Sequence, residues 1–277
     1  MSEACTHNCN TCKAGCSNST ASFEKLKLSS GSDIKKIIGI SSGKGGVGKS
    51  FVTSMIATGL SKKGYKVGIL DGDIVGPSIP KSFGVNTKGA VKATDEQLLI
   101  PAETKSGIKI ISSGLLTESD GTPIIYRGSL LASLLQQFYT DVFWADLDYL
   151  LIDMPPGTGD IPLTVYQLFP IDGVVIATSP QGLVSSIVEK SINMAGKMGI
   201  KIVGLVENMS YVECPNCKEK IKIFGESKID DICKKNNIDI LARIPLRVEY
   251  SEKVDSGNIE DLNIPEFENV INKIEKI

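Results

Sequence analysis

The segment from residue 43 to residue 50 constrains this chain most, because it reads Gly-Lys-Gly-Gly-Val-Gly-Lys-Ser. The pattern G-x-x-x-x-G-K-[ST] is typical of a loop whose backbone N–H groups surround the phosphates of a nucleotide. Lys49 is expected to reach the β- and γ-phosphates, and Ser50 to offer its hydroxyl to Mg²⁺. The predicted nucleotide-binding residues of the loop are Gly43, Lys44, Gly45, Gly46, Val47, Gly48, Lys49 and Ser50.

The residues on both sides of the loop argue against a chance match to a short pattern. A short apolar run, Lys36–Ile40, comes before the loop and predicts a strand. Apolar residues at helical spacing come after it, at Val52, Met55, Ile56 and Leu60. Strand, glycine loop and helix is the order that the motif needs, because the helix N-terminus adds partial positive charge to an anion site. The sequence therefore predicts nucleotide binding.

Lys44 is an additional lysine directly after the first glycine of the loop. Most nucleotide hydrolases leave this position free. A lysine here resembles the deviant Walker A loop of dimeric ATPases, in which it reaches the nucleotide of the partner subunit. The loop therefore also indicates a homodimer.

Apolar runs that alternate with helix-period stretches predict the fold class. The runs are Ile37–Ile40, Val67–Leu70, Ile108–Ile111, Tyr149–Ile152, Gly173–Ala177, Ile202–Val206 and Ile240–Ile244. Helical stretches lie near 49–63, 128–143, 183–198 and 226–236, and a packing helix is expected around Phe267, Val270, Ile271 and Ile274. Continuous apolar strands with helices between them predict an α/β fold, a mostly parallel sheet with helices on both faces.

Composition divides the chain into two parts and restricts its partners. Residues 1–30 form a polar, Cys-rich N-terminal extension, and residues 31–277 form the predicted ATPase domain with a metal loop near 212–224. A net charge of −2 gives no electrostatic basis for binding nucleic acid. No apolar run is long enough to span a bilayer, and the N-terminus lacks the layout of a signal peptide. We therefore expect a cytoplasmic protein with neither nucleic acid nor membrane as a partner.

Carboxylates follow two of the predicted strands. Asp71 and Asp73 come directly after the second strand, where one would organise Mg²⁺ and the other would orient the attacking water. Asp153 ends the strand Leu150–Asp153, the Walker B arrangement that supports Mg²⁺. Gly157 would place its N–H against a γ-phosphate and release it after hydrolysis. A solvated acidic turn is the alternative for Asp71 and Asp73, and a turn cap is the alternative for Asp153.

Several further motifs carry a resemblance to a known family. They are Arg127-Gly128, Asp141–Trp144, Leu147–Asp160, Thr178–Gln181, Glu207–Ser210, Cys214–Cys217 and Phe224-Gly225. In this order they resemble the Mrp/ApbC family of P-loop ATPases, which carry iron–sulfur clusters and are related to MinD, ParA and the nitrogenase iron protein. The likeness extends from about residue 34 to residue 257.

The resemblance implies roles for individual residues. Lys44 would act across the dimer, and Asp73 would orient the attacking water. Asn208 would contact adenine, with help from the loop near Pro245. The motifs assign catalytic roles to Lys49 and Asp153, and the resemblance adds Lys44 and Asp73. The expected catalytic residues are therefore Lys44, Lys49, Asp73 and Asp153.

Cys214 and Cys217 form a C-x-x-C pair, and two thiolates at this spacing can bind one metal. Zinc or an iron–sulfur cluster normally needs four protein ligands, so a two-fold dimer would supply the other two. Chemistry alone leaves zinc, an iron–sulfur cluster and a thioredoxin-like redox pair open. The resemblance implies a labile bridging [4Fe–4S] cluster.

A second group of thiols lies in the N-terminal extension, at Cys5, Cys9, Cys12 and Cys16. Four thiolates can complete one metal site within a single chain, and some members of the resembled family hold a second [4Fe–4S] cluster in such a tail. A metal-scavenging tail is the alternative. His7 lies inside this group, and Cys233 is expected to be a buried or idle thiol.

These features together predict a Mg²⁺-dependent ATPase that binds a [4Fe–4S] cluster and transfers it to apo iron–sulfur proteins. One alternative is a ParA/MinD-like positioning ATPase, and another is an ATPase dimer bridged by zinc. An electron-transfer reductase is disfavoured, because no cysteine lies between residues 17 and 213.

Overall fold

The computed structural model describes residues 24–85, 91–116, 128–181 and 184–277. The strands in these ranges are β1 (Asp33–Ser42), β2 (Val67–Asp71), β3 (Lys92–Ala93), β4 (Leu99–Ile100), β5 (Ala102–Glu103), β6 (Lys109–Ile111), β7 (Asp146–Asp153), β8 (Gly173–Thr178), β9 (Ile202–Glu207), β10 (Val212–Glu213), β11 (Lys220–Ile221) and β12 (Ile240–Arg243). The α-helices are α1 (Lys49–Lys62), α2 (Ile79–Ser82), α3 (Gly128–Thr140), α4 (Asp160–Leu168), α5 (Val184–Lys197), α6 (Ile229–Asn236), α7 (Val248–Asp255) and α8 (Glu268–Ile274).

Over the described ranges, the main sheet has eight strands in the order β12-β9-β8-β1-β7-β2-β6-β5. All neighbours pair in parallel except β5, which runs antiparallel to β6 at the edge. Because parallel strands end on the same side, the residues after β1, β2, β7, β8 and β9 meet along one edge of the sheet. The predicted α/β class with a mostly parallel sheet is confirmed.

The sheet buries apolar side chains on both faces, which is why its strands read as continuous apolar runs. Along β7, Leu151 belongs to a core cluster with α1 and α8, whereas Leu150 and Ile152 belong to a second cluster with α3 and α4. In β1, Ile38 and Ile40 likewise face the first cluster. Successive residues of a strand point to opposite faces, so two helical layers cover the sheet.

The predicted elements agree with the structure, with a few differences. Each of the seven apolar runs overlaps a strand of the main sheet. The helix predicted near 128–143 ends at Thr140, because Val142 forms a parallel bridge with Leu99. The helices α2, α4 and α7 were not predicted. Within the part of the chain that the structure describes, no helix combines the length and the apolar character that a bilayer span requires.

Residues 24–32 pack against helix α4 and the core cluster beside it. Lys25 Nζ donates hydrogen bonds to the backbone carbonyls at the C-terminal end of α4, and the Leu26 N–H donates to Leu168 O at 2.8 Å. Leu26 and Leu28 pack against the second core cluster. The predicted boundary at residue 30 stays a prediction, but this packing ties the chain just before it to the end of α4.

Candidate functional site

The glycine loop between β1 and α1 presents a row of backbone N–H groups. From residue 43 to residue 51, none of these groups donates a hydrogen bond to another residue that the structure describes. Gly46 and Gly48 both have φ of +78°, a left-handed conformation that glycine adopts without steric cost. The free N–H groups lie at the N-terminus of a 14-residue helix, where its dipole favours an anion. This geometry suits a phosphate.

Asp153 lies at the centre of the polar contacts below the loop. Its carboxylate is fully buried, and Lys49 Nζ forms an ion pair with Oδ2 at 2.7 Å. Ser50 Oγ donates to the same oxygen at 2.7 Å, and Thr53 Oγ1 donates to Oδ1 at 2.6 Å. Lys49 therefore contacts Asp153 rather than extending into the loop, and a phosphate would compete with Asp153 for its ammonium group.

Two more carboxylates lie beside this ion pair. Asp71 is buried and accepts a hydrogen bond from Ser112 Oγ at 2.9 Å. Burial, with the nearby charge of Asp153, raises the pKa of Asp71 to about 7. Asp73 is less buried, and desolvation raises its pKa as well. The structure thus brings Asp71, Asp73 and Asp153 together where β2 and β7 end.

Two adjacent cavities, each of about 280 Å³, adjoin the loop. The first is polar and includes Lys44, Lys49, Ser50 and Asp73 in its lining. The second is more apolar and is formed largely by Phe51, Asn208, Met209, Pro245, Leu246 and Tyr250. Gly48 and Phe51 line both cavities, so the pair can accommodate the phosphates and the base of one nucleotide.

Asn208 joins the second, more apolar cavity, which we call the base cavity, to the glycine loop. Its Nδ2 donates to the backbone carbonyl of Val47 at 3.0 Å. A Cβ atom on Gly48 would lie only 2.1 Å from the same Nδ2, so this contact requires glycine at position 48. The predicted adenine-contacting residues Asn208 and Pro245 therefore line one cavity beside the loop.

In the single chain, Lys44 and Gly157 form hydrogen bonds with protein groups instead of with the nucleotides predicted as their partners from the sequence. Lys44 is exposed, and its Nζ donates to Gln181 Oε1 at 3.2 Å. The N–H of Gly157 donates to Ser42 O at 2.8 Å, so contact with a γ-phosphate would require it to change acceptor. Gly157 has φ of +95°, which favours glycine at this turn. The predicted cross-dimer role of Lys44 stays a prediction.

Cys214 and Cys217 lie in the turn of an antiparallel hairpin formed by β10 and β11. The hairpin follows β9, so it lies on the same edge of the sheet as the glycine loop. Hydrogen bonds from the backbone N–H groups of Cys217 and Asn216, and then from the Cys217 thiol, lower the pKa of the Cys214 thiol. Cys217 is exposed and Cys214 is partly exposed. This turn presents two accessible thiols, one of them favoured as a thiolate, which is the form that binds metal.

Residues 33–277 match the family model ParA, described as the NUBPL iron-transfer P-loop NTPase. The chain belongs to this family. An iron-sulfur cluster carrier protein of Clostridium perfringens is 45% identical over 252 residues, which are 89% of this chain and 87% of that protein. Another, of Methanococcus maripaludis, is 40% identical over 284 residues, or 99% of this chain and 98% of that protein. Among solved structures, the chain is similar to a nucleotide-binding protein from Archaeoglobus fulgidus in complex with ADP, with cobalt found by PIXE. The two sequences are 44% identical and the TM-score is 0.75, and the match covers 85% of this chain and 91% of that one.

The resemblance to Mrp/ApbC ATPases is thereby confirmed, and this member of the NUBPL family is a P-loop NTPase. Its described ranges contain no group of three or more His, Cys, Asp or Glu side chains arranged to hold a metal ion. Cys214 and Cys217 are therefore not joined, within these ranges, by a third side chain of these types in a metal-binding arrangement. Cys5, Cys9, Cys12 and Cys16 lie outside the described residues, as does His7. Cys233 is buried, which raises the pKa of its thiol to about 11, so it fits the predicted idle thiol.

The sequence did not single out several residues of the site. Thr53 follows Ser50 by three residues and so shares its face of α1, a spacing that could have indicated a second hydroxyl on Asp153. Tyr250 stacks on Phe51 with ring centroids 5.7 Å apart and closes the base cavity. Because Tyr250 lies on α7, some 200 residues beyond Phe51, no local pattern joins the two. The buried Glu207 was named only as part of a motif.

Proposed function

We propose that this chain binds and hydrolyses ATP with Mg²⁺ and, as a homodimer, carries a [4Fe–4S] cluster and transfers it to apo iron–sulfur proteins. One observation carries the proposal: the glycine loop with its two cavities, which suit a nucleotide, and the Cys214–Cys217 pair, which would supply half of a metal-ligand set, lie on the same edge of one sheet. The cluster carrier names of relatives at 45% and 40% identity, and the ADP complex of a relative at 44% identity, support the proposal.

The nucleotide would lie with its phosphates in the polar cavity and its base beside Asn208 and Pro245. The free N–H groups of residues 43–51 would bind the phosphate oxygens, and Lys49 would exchange Asp153 for the β- and γ-phosphates. Asp73 lines the polar cavity and would orient the attacking water. Its position fits this role, because it lies at the cavity wall rather than below the loop.

The residues around Asp153 also fit Mg²⁺, because hydroxyl and carboxylate oxygens are the ligands that this ion prefers. Ser50 would be a direct ligand, and Asp153 and Asp71 would hold the ion or its waters. When bound, Mg²⁺ would neutralise charge that develops on the transferred phosphoryl group. Lys44 of one subunit would add a positive charge at the nucleotide of the other.

The cluster is the cargo, held between the Cys214–Cys217 hairpins of two subunits. A two-fold axis through the hairpins would supply four thiolates from two chains. The exposure of Cys217 suits a labile cargo that must reach an acceptor protein. The N-terminal thiols Cys5, Cys9, Cys12 and Cys16 would hold a second cluster.

Anaerobic reconstitution with iron and sulfide tests the proposal. In a background with serine at positions 5, 9, 12 and 16, we expect about four iron and four sulfide per dimer. The Cys214→Ser, Cys217→Ser double variant should bind none and should fail to activate an apo [4Fe–4S] enzyme. Cys233→Ser is the matched control, because this thiol is buried, and it should behave as the parent does.

Full transfer activity in the Cys214→Ser, Cys217→Ser variant would contradict the proposal. Stoichiometric zinc without sulfide in protein purified under anaerobic conditions would favour the zinc-bridged dimer instead. Pelleting with DNA or with anionic vesicles only in the presence of ATP would favour a positioning ATPase.

A further inference from the structure

Glu207 is a buried carboxylate between the nucleotide site and the cysteine hairpin. It is the last residue of β9 and is 1% exposed. The next residue, Asn208, donates to Val47 O of the glycine loop. Only residues 208–211 separate Glu207 from the first strand of the hairpin. The two sites are therefore adjacent along the backbone as well as on the sheet edge.

The carboxylate of Glu207 binds both ends of the hairpin. Ser210, before β10, donates its hydroxyl to Oε2 at 2.5 Å. Ser227, after β11, donates its hydroxyl to Oε1. Arg243 Nε lies 3.3 Å from Oε2, and another nitrogen of the same guanidinium lies 2.6 Å from Asp230. One side chain thus links the segment that leads into the hairpin to the segment that follows it.

The loop that lines the base cavity is bonded to the same segment. Ser210 N–H donates to Ile244 O, Ile244 N–H donates to Glu207 O, and Leu246 N–H donates to Tyr211 O, each at 2.8 Å. Pro245 lies between two of these residues and lines the base cavity. A shift of the cavity wall therefore reaches residues 207–211 through backbone hydrogen bonds.

We propose that Glu207 is a positioning residue that couples the nucleotide at Asn208 to the hairpin that carries Cys214 and Cys217. A base that contacts Asn208 would alter its hydrogen bond to Val47 and the path of residues 207–211. Because Ser210 and Ser227 both bind Glu207, the two ends of the hairpin would move together. The inference rests on the nucleotide binding of the proposed function, but it does not require that a cluster binds.

Amide hydrogen exchange of residues 212–226, with and without saturating ADP, tests this coupling on the full-length protein without iron. In the parent protein, ADP should change the exchange of the hairpin by about fivefold or more. Ser227→Ala removes the hydrogen bond to Glu207 that follows the hairpin and leaves Glu207 and Asn208 in place. The effect of ADP on the exchange of the hairpin should therefore fall to nearly none. Glu207→Gln should give the same loss, and both variants should bind ADP within about twofold of the parent.

Glu226→Gln is the matched control, because Glu226 is the neighbour of Ser227 and, among the residues that the structure describes, pairs only with Lys222 at the surface. It should keep the full ADP effect. An unchanged ADP effect in Ser227→Ala, or no ADP effect on the parent hairpin, would overturn the inference. Absence of ADP binding in a separate titration would remove the nucleotide part of the proposed function together with this inference. Failure to bind a cluster would remove only the cluster part of the proposed function and would leave this inference standing.

Discussion

Asp153 is the residue on which the polar contacts of the nucleotide site depend. Replacing it by Asn keeps the shape of the side chain but leaves the buried ammonium of Lys49 without its ion-pair partner. Breaking a buried ion pair on one side costs about 3–5 kcal/mol, so we expect Asp153→Asn to lower the free energy of unfolding by about 3 kcal/mol. Urea denaturation in the presence of EDTA measures this loss.

The control for Asp153→Asn is an ion pair at the surface. Lys253 pairs with Asp261 at 2.8 Å, and both side chains are substantially exposed. Exposed pairs contribute about 0–1 kcal/mol, so Lys253→Ala should change the stability by less than about 1 kcal/mol. Equal losses in the two variants would show that the Lys49–Asp153 pair has no special role in the fold.

The raised pKa of Asp71 leads us to expect that the free energy of unfolding depends on pH. Burial and the charge of Asp153 raise its pKa from 3.8 to about 7 in the folded protein. A carboxyl with a raised pKa favours folding below its unfolded pKa, and this contribution is lost as the pH rises from about 4 to about 7. Asp71→Asn cannot ionise, so it should exceed the parent in unfolding free energy by about 2–4 kcal/mol at pH 8, and by less at pH 5.

Urea denaturation at several pH values without Mg²⁺ checks this prediction. Asp261→Asn is the control of opposite sign, because the hydrogen bond from Lys253 lowers the pKa of Asp261. Its contribution is present above the unfolded pKa and is lost at acid pH, so this variant should be slightly less stable than the parent at pH 8. A stability gain for Asp71→Asn that is the same at pH 5 and pH 8 would contradict the raised pKa.

At the scale of the element, the glycine loop offers a matched pair of positions. Gly46 and Gly48 share φ of +78°, so alanine at either one costs about 1–2 kcal/mol of backbone strain. A Cβ at position 46 meets nothing within 4 Å, whereas at position 48 it lies 2.1 Å from Asn208 Nδ2. Gly48→Ala should therefore destabilise the protein by a further 1–3 kcal/mol or so.

Thermal or urea unfolding of the two alanine variants compares them directly. Since both carry the same strain, the difference between them isolates the contact with Asn208. Equal stabilities would mean that Asn208 moves away from the loop at no cost, and would weaken the case that this residue holds the loop.

The elements of the fold differ in how far the sequence predicts them. Strands β1, β2, β7, β8 and β9 were predicted because both faces of the sheet are buried, which produces continuous apolar runs. Helix α4 was missed because it is short and follows a stretch rich in glycine and proline, and α7 because Tyr250 alone is buried in it. Such helices are fixed by tertiary contacts rather than by a periodic pattern.

The site shows the same division. Glycine loop residues and Asp153 were predicted from local motifs, whose spacing is set by the geometry of phosphate binding. The ion pair of Lys49 with Asp153 joins residues about 100 positions apart, and the packing of Phe51 on Tyr250 joins residues about 200 positions apart. Contacts of this kind depend on the order of strands in the sheet, which a single sequence does not encode in any short pattern.

At the scale of the whole molecule, the proposed role of Lys44 across the dimer leads us to expect that two inactive variants restore ATP hydrolysis when mixed. Lys44→Ala and Lys49→Ala should each lose ATP hydrolysis when pure. If Lys44 acts on the nucleotide of the partner, a dimer of the two variants has one complete site out of two. Random pairing of equal amounts makes half of the dimers mixed, so the mixture should recover about a quarter of the parent rate.

A phosphate-release assay on the mixture after subunit exchange measures this recovery. Lys44→Ala mixed with itself is the control for concentration. If Lys44 acted only within its own chain, each chain of the mixture would lack one lysine and no activity would return, which would contradict the proposed dimeric site.

The hydrogen bond from Gly157 N–H to Ser42 O has a thermodynamic consequence. One N–H serves one strong acceptor at a time, so on the proposed mechanism a γ-phosphate and the Ser42 carbonyl are alternatives. Exchanging one acceptor for another keeps the number of hydrogen bonds nearly constant, and the two arrangements then differ little in free energy. A small binding preference is enough to shift such an equilibrium, so loss of a single phosphate would suffice to reset the loop.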